Sequence, residues 1–518
     1  MTQVNKIDSN FTGLAYAEEA ALGYLPGENS LPGTPVWNRL QPNSYSDFGG
    51  EVVTVAPNPI NPDRQRERGV ATDLNATGGL NHNLTAFNMI DLLQGFMFAD
   101  TRQKGTESVT AVVLDTTNPD EYQVASTSGF TVGGLVKGFN FTNDANNALN
   151  VITVVTSNTS VEVADGQLVA EASPPSDAFI KQVGIQAGAG DIDVTTTGDF
   201  ATYTSSTLDF TTLGLVAGQW IYVGGDSAGT SFSNAENNGF KRIRSIAANA
   251  LVVDKSDSAM VTESSTTETI RMFFGDVLKN ELSANIVRRS YNLERTLSYP
   301  DDASPSQIQS EVLTGAVPSQ LVLNIPTANL ANMDLSFIAI DNVQRTGATG
   351  PKQSSVVDPL SGGVFNTSSD IPRVNMSVVS TTAETVTPLF AYITEMALTI
   401  NNNVSPNKAV GVLGGFDVTA GTFQVSATLT AYFSNVTAVQ AVRNNSQVTL
   451  DFGLVKDNAG MFLDIPLITL GNGRLSVEQD QPITLPLTSE AARGRDLLST
   501  LDHTLMWTFF YYLPTAAG

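Results

Sequence analysis

Only two histidines, His82 and His503, stand in 518 residues, and there is no cysteine. A nucleophilic triad needs a histidine or equivalent base beside Ser, Thr or Cys. Each histidine falls in a strand-like stretch or at its edge, where a lone His is most often structural. Without thiolates, and with two imidazoles far apart in sequence, no transition-metal cluster is recognisable. The 51 carboxylates leave a glycosidase-type pair arithmetically open, but no spacing selects two of them. Asp115–Asp120 and Asp144–Asn147 are acidic turns that lack the twelve-residue calcium-loop spacing. The 42 glycines include neither a phosphate loop nor a dinucleotide fingerprint. The sequence therefore reads as non-enzymatic and free of cofactors.

One charged run stands out. Asp63-Arg64-Gln65-Arg66-Glu67-Arg68 is the densest basic stretch in a chain of 27 cations and a formal charge of −24. It follows Pro57, Pro59 and Pro62 in a long loop. Either it is a solvated loop, or Arg64, Gln65, Arg66 and Arg68 form a contact whose guanidinium groups meet acidic surface on a neighbouring copy. The net charge argues against phosphate binding, because counterion release needs a cationic surplus. A negative channel would instead let DNA pass without sticking.

The elements that hold these residues are strands. Short runs rich in Val, Thr, Ile and Phe recur between Gly, Asn, Asp and Pro, many of them alternating apolar and polar residues. Glu51–Ala56, Val151–Thr156, Leu321–Ile325 and Thr422–Leu429 are examples. Helices are expected over Thr85–Asp100, with Thr85 as N-cap, over Ser434–Arg443, and from Thr488 through Glu490–Leu498. No apolar run is long enough to span a bilayer.

Repeats organise the chain. Phe130–Gly138 and Phe210–Gly218 both read F-T-x-x-G-L-V-x-G. Each is followed by a strand, an Asn-Asn turn (Asn146-Asn147, Asn237-Asn238) and two further strands. A fainter duplication relates strand, loop, strand and helix around 51–98 to the same order around 395–443. The expected class is mainly β: a tandem of two β barrels or sandwiches with short flanking helices, plus an inserted pair of small β modules. The expected domains are 1–102 with 271–345, the insertion 103–270, and 346–518. Asn401, Asn402, Asn403 and Lys408 are the second-copy counterpart of the basic loop.

Leu14-Ala15-Tyr16-Ala17-Glu18-Glu19, Trp37, Leu40–Gly49, Pro59-Ile60 and Arg64-Gln65-Arg66 together resemble the opening of tail tube proteins of long, non-contractile phage tails. Ser290–Arg295 and Asn401-Asn402-Asn403 fit as well, so the resemblance covers about 1–100 and 285–518. It implies a virion protein, assembled in the host cytoplasm, whose partners are itself, the tape measure protein and other tail proteins. Such subunits form stacked rings through which genomic DNA passes without specific binding. They do not insert into membranes. A true duplication implies a trimeric, pseudo-hexameric ring, and a single tube domain implies a hexamer. The inserted modules would be outward decoration. A different class remains open: a β-rich adhesin or carbohydrate-binding surface protein, with Trp220, Tyr222 and Phe139 as sugar-stacking residues.

Overall fold

The computed structural model describes residues 12–60, 62, 65–114, 119–297, 309–346, 356–380, 382–383 and 385–518. The chain is mainly β, with two α-helices among the described residues, and divides into two compact units. One gathers Met1–Ala99, Ser283–Thr367 and Thr394–Thr430; the other gathers Asp100–Leu282, Ser368–Ile393 and Ala431–Gly518.

In the first unit, Ser44–Val55 and Val70–Asn83 form a long antiparallel hairpin running from Ser44↔Asn81 to Val55↔Val70. Val70–Asn83 pairs in turn with Asn332–Ala339. That strand pairs with the C-terminal half of Gln309–Ile325, whose other edge takes Ile393–Asn401 in the register Gln320↔Asn401 to Ile325↔Met396. Alternate residues of these strands (Leu74, Ala76, Leu80; Leu335, Phe337; Leu321, Leu323; Leu398, Ile400) are buried, the period-2 pattern of a sheet with one wet face. Phe96 of helix Ile90–Met97 meets Phe337 edge-on at 5.4 Å. The helix starts later than the sequence suggests. Thr85 Oγ1 accepts from the Asn88 amide (3.3 Å) and Asn88 Oδ1 from the Thr85 amide (3.1 Å), closing a turn ahead of Ile90.

The N-terminal half of Gln309–Ile325 lies between Tyr291–Leu297 and Asp341–Thr346, and Tyr291–Leu297 is bordered by Gly13–Glu18. Here Glu19 is buried and accepts from Ser290 Oγ (2.5 Å), Asn292 Nδ2 (2.7 Å), and the Gly23 and Gly315 amides (both 2.7 Å). Four donors on one carboxylate explain how an acid is tolerated in this core.

The second unit opens with two small barrels. In the first, Thr106–Val113, Asp120–Val124, Ser160–Val163, Leu149–Thr156, Gly134–Phe139 and Phe179–Gln186 pair in that order, and the last closes on the first. In the second, Ile192–Thr195, Thr202–Ser205, Ala250–Asp254, Gly239–Ala247, Trp220–Val223 and Arg271–Phe274 follow the same order without a closing pair, Ile192–Thr195 taking Glu263–Ser264 on its outer edge instead.

The Asn-Asn turns are true equivalents. Tyr122 and Tyr203 donate to the carbonyls of Asn146 (2.9 Å) and Asn237 (2.6 Å). Glu171 and Glu263 each accept from the amides of the same turn and from Nδ2 of the first Asn. The repeat F-T-x-x-G-L-V-x-G is only half structural. Phe130 and Phe210 both enter their barrel cores. Gly134–Phe139 is a strand, however, whereas 214–218 is the turn before Trp220–Val223. Strand register aligns Leu135 with Trp220, not with Leu215, because Lys137 and Tyr222 each face the residue two beyond their Asn-Asn pair.

The rest of this unit is the antiparallel set Arg373–Val378, Val448–Lys456, Ala459–Asn472 and Thr484–Ala492, with Met506–Phe510 between Ala459–Asn472 and Asp276–Lys279. The helix expected from Thr488 is absent. Leu485, Leu487 and Ser489 alternate inward on the strand Thr484–Ala492, and only a short 3-10 turn, Gly494–Asp496, follows. Sheet pairing overrides the helical propensity of Glu490-Ala491-Ala492. The second expected helix is present as Thr437–Arg443.

Candidate assembly interface

The first hairpin leaves the body of its unit. From Glu51 to Thr72 every described residue is exposed except Ala56, which is half-buried. A strand pair with both faces wet has no core to hold it, yet it carries Val52, Val53, Val55, Ile60 and Val70, with Ile60 fully exposed. Covering an aliphatic side chain of this size is worth about 1.5–3 kcal/mol, so the arm has a strong reason to find a partner surface. Gln65, Arg66 and Arg68 lie exposed near its tip; Arg64 lies outside the described residues.

The second loop is anchored differently. Asn402 is buried and its Nδ2 donates to the carbonyls of Phe96 (3.0 Å) and Pro318 (3.1 Å). Asn403, at φ 48°, donates to Thr422 O (2.7 Å), and Asn401 Oδ1 accepts from its amide (2.8 Å). Lys408 is exposed and bridges to Asp73 and to Asn75 (2.7 Å) at the base of the first arm. Asn402 thus fixes a turn from inside, and only Asn403 and Lys408 present exposed side chains. Beyond them Ser405–Asn407 and Asp417–Thr419 pair into a second, shorter hairpin. Its tip exposes Val410, Val412, Leu413 and Phe416, which sequence reading passed over because Val-Gly-Val-Leu looks like core. Every pairing from Ser44–Val55 across to Ile393–Asn401 is antiparallel. Ser44–Val55 and Ile393–Asn401 therefore run the same way, and both hairpins leave the sheet at one edge.

The wet face of this sheet carries a ladder of amides. Asn43 donates to Asn81 and Asn83 (both 2.8 Å), Asn81 to Asn332 (2.9 Å) and Asp334 (2.7 Å), and Asn324 to Asn332 (3.1 Å) and Asp334 (2.7 Å). Three strands, and Asn43 just ahead of Ser44–Val55, are tied by neutral groups and one carboxylate, with no cation in the ladder.

Neither histidine has catalytic geometry. His82 Nδ1 lies 2.6 Å from Asn83 O while Nε2 accepts from the Gln41 amide (3.1 Å), and burial pushes its pKa down. His503 is fully buried with Nε2 3.5 Å from Asp464, and burial lowers it as well. Around it, in the second unit, lies a charge network that sequence reading missed. Arg242 holds Asp254 by two parallel bonds of 2.8 Å and reaches Asp464 at 3.2 Å. Lys255 lies 2.5 Å from Asp464 and 3.2 Å from Asp451, and Arg373 bonds Asp451 and Asp257. Burial alone pushes the Asp464 carboxyl up, but Lys255 and Arg242 bring it well below the usual carboxylate range. Three buried cations thus face three buried carboxylates. Trp220 and Tyr222 are buried nearby, and Trp220 packs on Phe462 at 5.2 Å. Phe139 is half-buried, stacked on Phe179 at 4.8 Å. Two of the three aromatics considered for sugar stacking are therefore core.

No curated protein matches the chain. A family model does, over residues 184–491, which includes the whole of the second barrel that the sequence resemblance leaves out. That match, described as a phage tail tube protein, spans more than half of the chain, and the chain belongs to this non-enzymatic structural family.

Proposed function

We propose that the chain is the polymerising tube subunit: copies close into rings by strand pairing, rings stack through the hairpin arms, and the lumen conducts DNA at ejection. The observation that carries this reading is the Glu51–Thr72 arm, exposed on both faces and bearing five large aliphatic side chains. Strand pairing is supported by Ser44–Val55, which pairs along one side with Val70–Asn83 and has no second register of strand pairing among the described residues. Such an edge invites pairing with another copy.

Three chains per ring is the stoichiometry we favour. Two hairpins leave one edge of one sheet, and each chain segment continues into a helix, Ile90–Met97 or Thr437–Arg443. Pro318 and Pro466 then fall near the middle of the strands Gln309–Ile325 and Ala459–Asn472. The seam between 320–325 and 396–401 would be the intrachain copy of the seam between chains. The tape measure protein would occupy the lumen before DNA, and assembly would take place in the host cytoplasm. An amide ladder without cations offers phosphate nothing to bind.

Negative-stain electron microscopy of the purified chain over a concentration series tests the reading. Rings or hollow tubes with threefold symmetry are expected. Sixfold rings would refute the doubled subunit, and compact monomers that persist when tail initiator proteins are added would refute the tube role.

A further inference from the structure

We propose that the second hairpin is a strut that fixes the direction in which the first arm leaves the sheet, with Lys408 and Gly414 as its two points of grip. The inference goes beyond the tube reading and holds for the unassembled chain.

The arm needs such a grip. Between Glu51 and Thr72 it is a two-stranded ribbon wet on both faces, and an isolated ribbon of that kind is only marginally stable. With no buried face, the ribbon itself cannot set its angle to the sheet.

The second hairpin, by contrast, is rooted. Val404, just ahead of Ser405–Asn407, and Val418, within Asp417–Thr419, belong to a buried cluster with Phe98 and Val317. Asn407 Nδ2 donates to Thr419 Oγ1 (2.7 Å) and Asp417 Oδ2 (3.2 Å), and the Asn407 carbonyl accepts from the Phe416 amide (2.9 Å). The Gly415 amide donates to Ile340 O at 3.2 Å, which ties the returning side of the loop to the first unit as well.

From this root the loop meets the strand Val70–Asn83 where the arm begins. Asp73 and Asn75 stand opposite Val53 and Glu51 in the ladder. Lys408 Nζ donates to both side chains, to Asn75 Oδ1 at 2.7 Å. Successive side chains of a strand point to opposite faces, so Leu74 lies on the other face, and there Gly414 arrives. A Cβ at Gly414 would lie 3.6 Å from Leu74 Cδ2 and 2.8 Å from Ile340 O, and φ there is 88°. Glycine takes that backbone conformation and that close approach without strain. The strand is thus held from both faces at the foot of the arm, which resists bending either way. An exposed ion pair contributes little to stability, so loss of the grip should change the arm's direction and leave the fold intact.

Spin labels on the cysteine-free chain test this. Ile60 and Val410 are fully exposed on the two hairpins, so labels at I60C/V410C disturb no packing. Pulsed electron paramagnetic resonance on the dilute, unassembled chain should give one narrow distance distribution. K408M and, independently, G414A should lose it to a broad one, with the melting curve of K408M unmoved, whereas K408R should keep it. High salt should broaden the distribution of the labelled parent and leave that of K408M unchanged. A parent distribution that is already broad, or K408M and G414A distributions as narrow as the parent's, would overturn the strut. Tubes do not enter this readout, so their failure to form would count against the tube reading alone.

Discussion

Neutralising Asp464 should be among the most damaging single changes available in the second unit. Its side chain is wholly buried and meets Lys255 at 2.5 Å, Arg242 at 3.2 Å and His503 at 3.5 Å. Asp464→Asn keeps shape and volume but leaves Arg242, Lys255 and Arg373 facing only Asp254 and Asp451 in the interior. An uncompensated buried charge of this kind costs about 3–5 kcal/mol. The second unit has roughly 300 residues, for which about 2 °C of melting temperature accompanies each kcal/mol. Its thermal transition should therefore fall by about 5–10 °C. Asp257→Asn is the control: it removes a carboxylate of the same network whose side chain is 76% exposed, where an ion pair is worth about 1 kcal/mol or less. Differential scanning calorimetry of both variants reads the difference directly. The sign with pH is also fixed. The folded Asp464 carboxyl titrates below its unfolded value, so its contribution is present above pH ~4 and is lost only well below that. An Asp464→Asn transition within 2 °C of wild type would mean that the cations there are already compensated otherwise, and the balanced-network account would fail.

Tyr122→Phe and Tyr203→Phe each delete one hydroxyl bond to an Asn-Asn turn; urea titration should show about 1 kcal/mol each, adding in the double variant because the barrel cores are separate. Asn402→Ala strips donors from the carbonyls of Phe96 and Pro318 and should lower the first unit's stability by about 1–3 kcal/mol, read by hydrogen exchange in Ile90–Met97. Burial pushes the Lys104 ammonium down to about 8 against the opposing pull of Asp276. The unfolded chain therefore holds the extra proton between pH ~8 and ~10.5, and stability rises with pH across that window relative to Lys104→Met, by about 3 kcal/mol in all; equal slopes for the two proteins in denaturant melts at stepped pH would refute it. Replacing Arg64, Arg66 and Arg68 by Ser should shorten tubes without moving the melting curve. Added salt should shorten wild-type tubes further but not those of the variant, as particle lengths in micrographs will show.

Period-2 patterning made the strands legible because half of each sits against a core and half against water. The arm was legible for a different reason: prolines and a dense charge run cannot belong to an interior strand. What failed were inferences that needed distance. Glu490-Ala491-Ala492 has helical propensity, and only the neighbouring strand Ala459–Asn472, which no local pattern announces, holds it extended. The nine-residue repeat misled because Leu215-Val216 matches Leu135-Val136 in letters while strand register equates Leu135 with Trp220. The charge network joins Arg242 to Asp464 across 222 residues, and in sequence each member looks like one more surface charge. Asn402 read as a contact residue because it sits in a polar Asn run; its burial follows from the helix end and the Pro318 bulge that it bridges.

The disposition of cations bears on why an acidic chain would recognise itself. Among the described residues seven lysines and arginines are buried, all in the second unit: Lys104, Lys181, Lys241, Arg242, Lys255, Lys279 and Arg373. Each is held by a carboxylate, a carbonyl or an aromatic ring, as Lys181 is by Asp276 at 2.8 Å and by the Tyr511 ring at 4.4 Å. The outer surface is left with roughly two carboxylates per cation, a field that repels phosphate and also repels another copy of the chain. Against that repulsion the tip of the arm gathers three of the chain's arginines within five residues, Arg64, Arg66 and Arg68. The arm combines Arg66 and Arg68 with aliphatic side chains that have no cover of their own. In the proposed tube, an acidic body whose arm gathers arginines beside uncovered aliphatic side chains would favour end-to-end growth over indiscriminate association, and the acidity proposed to keep DNA from adhering would also make the arm selective.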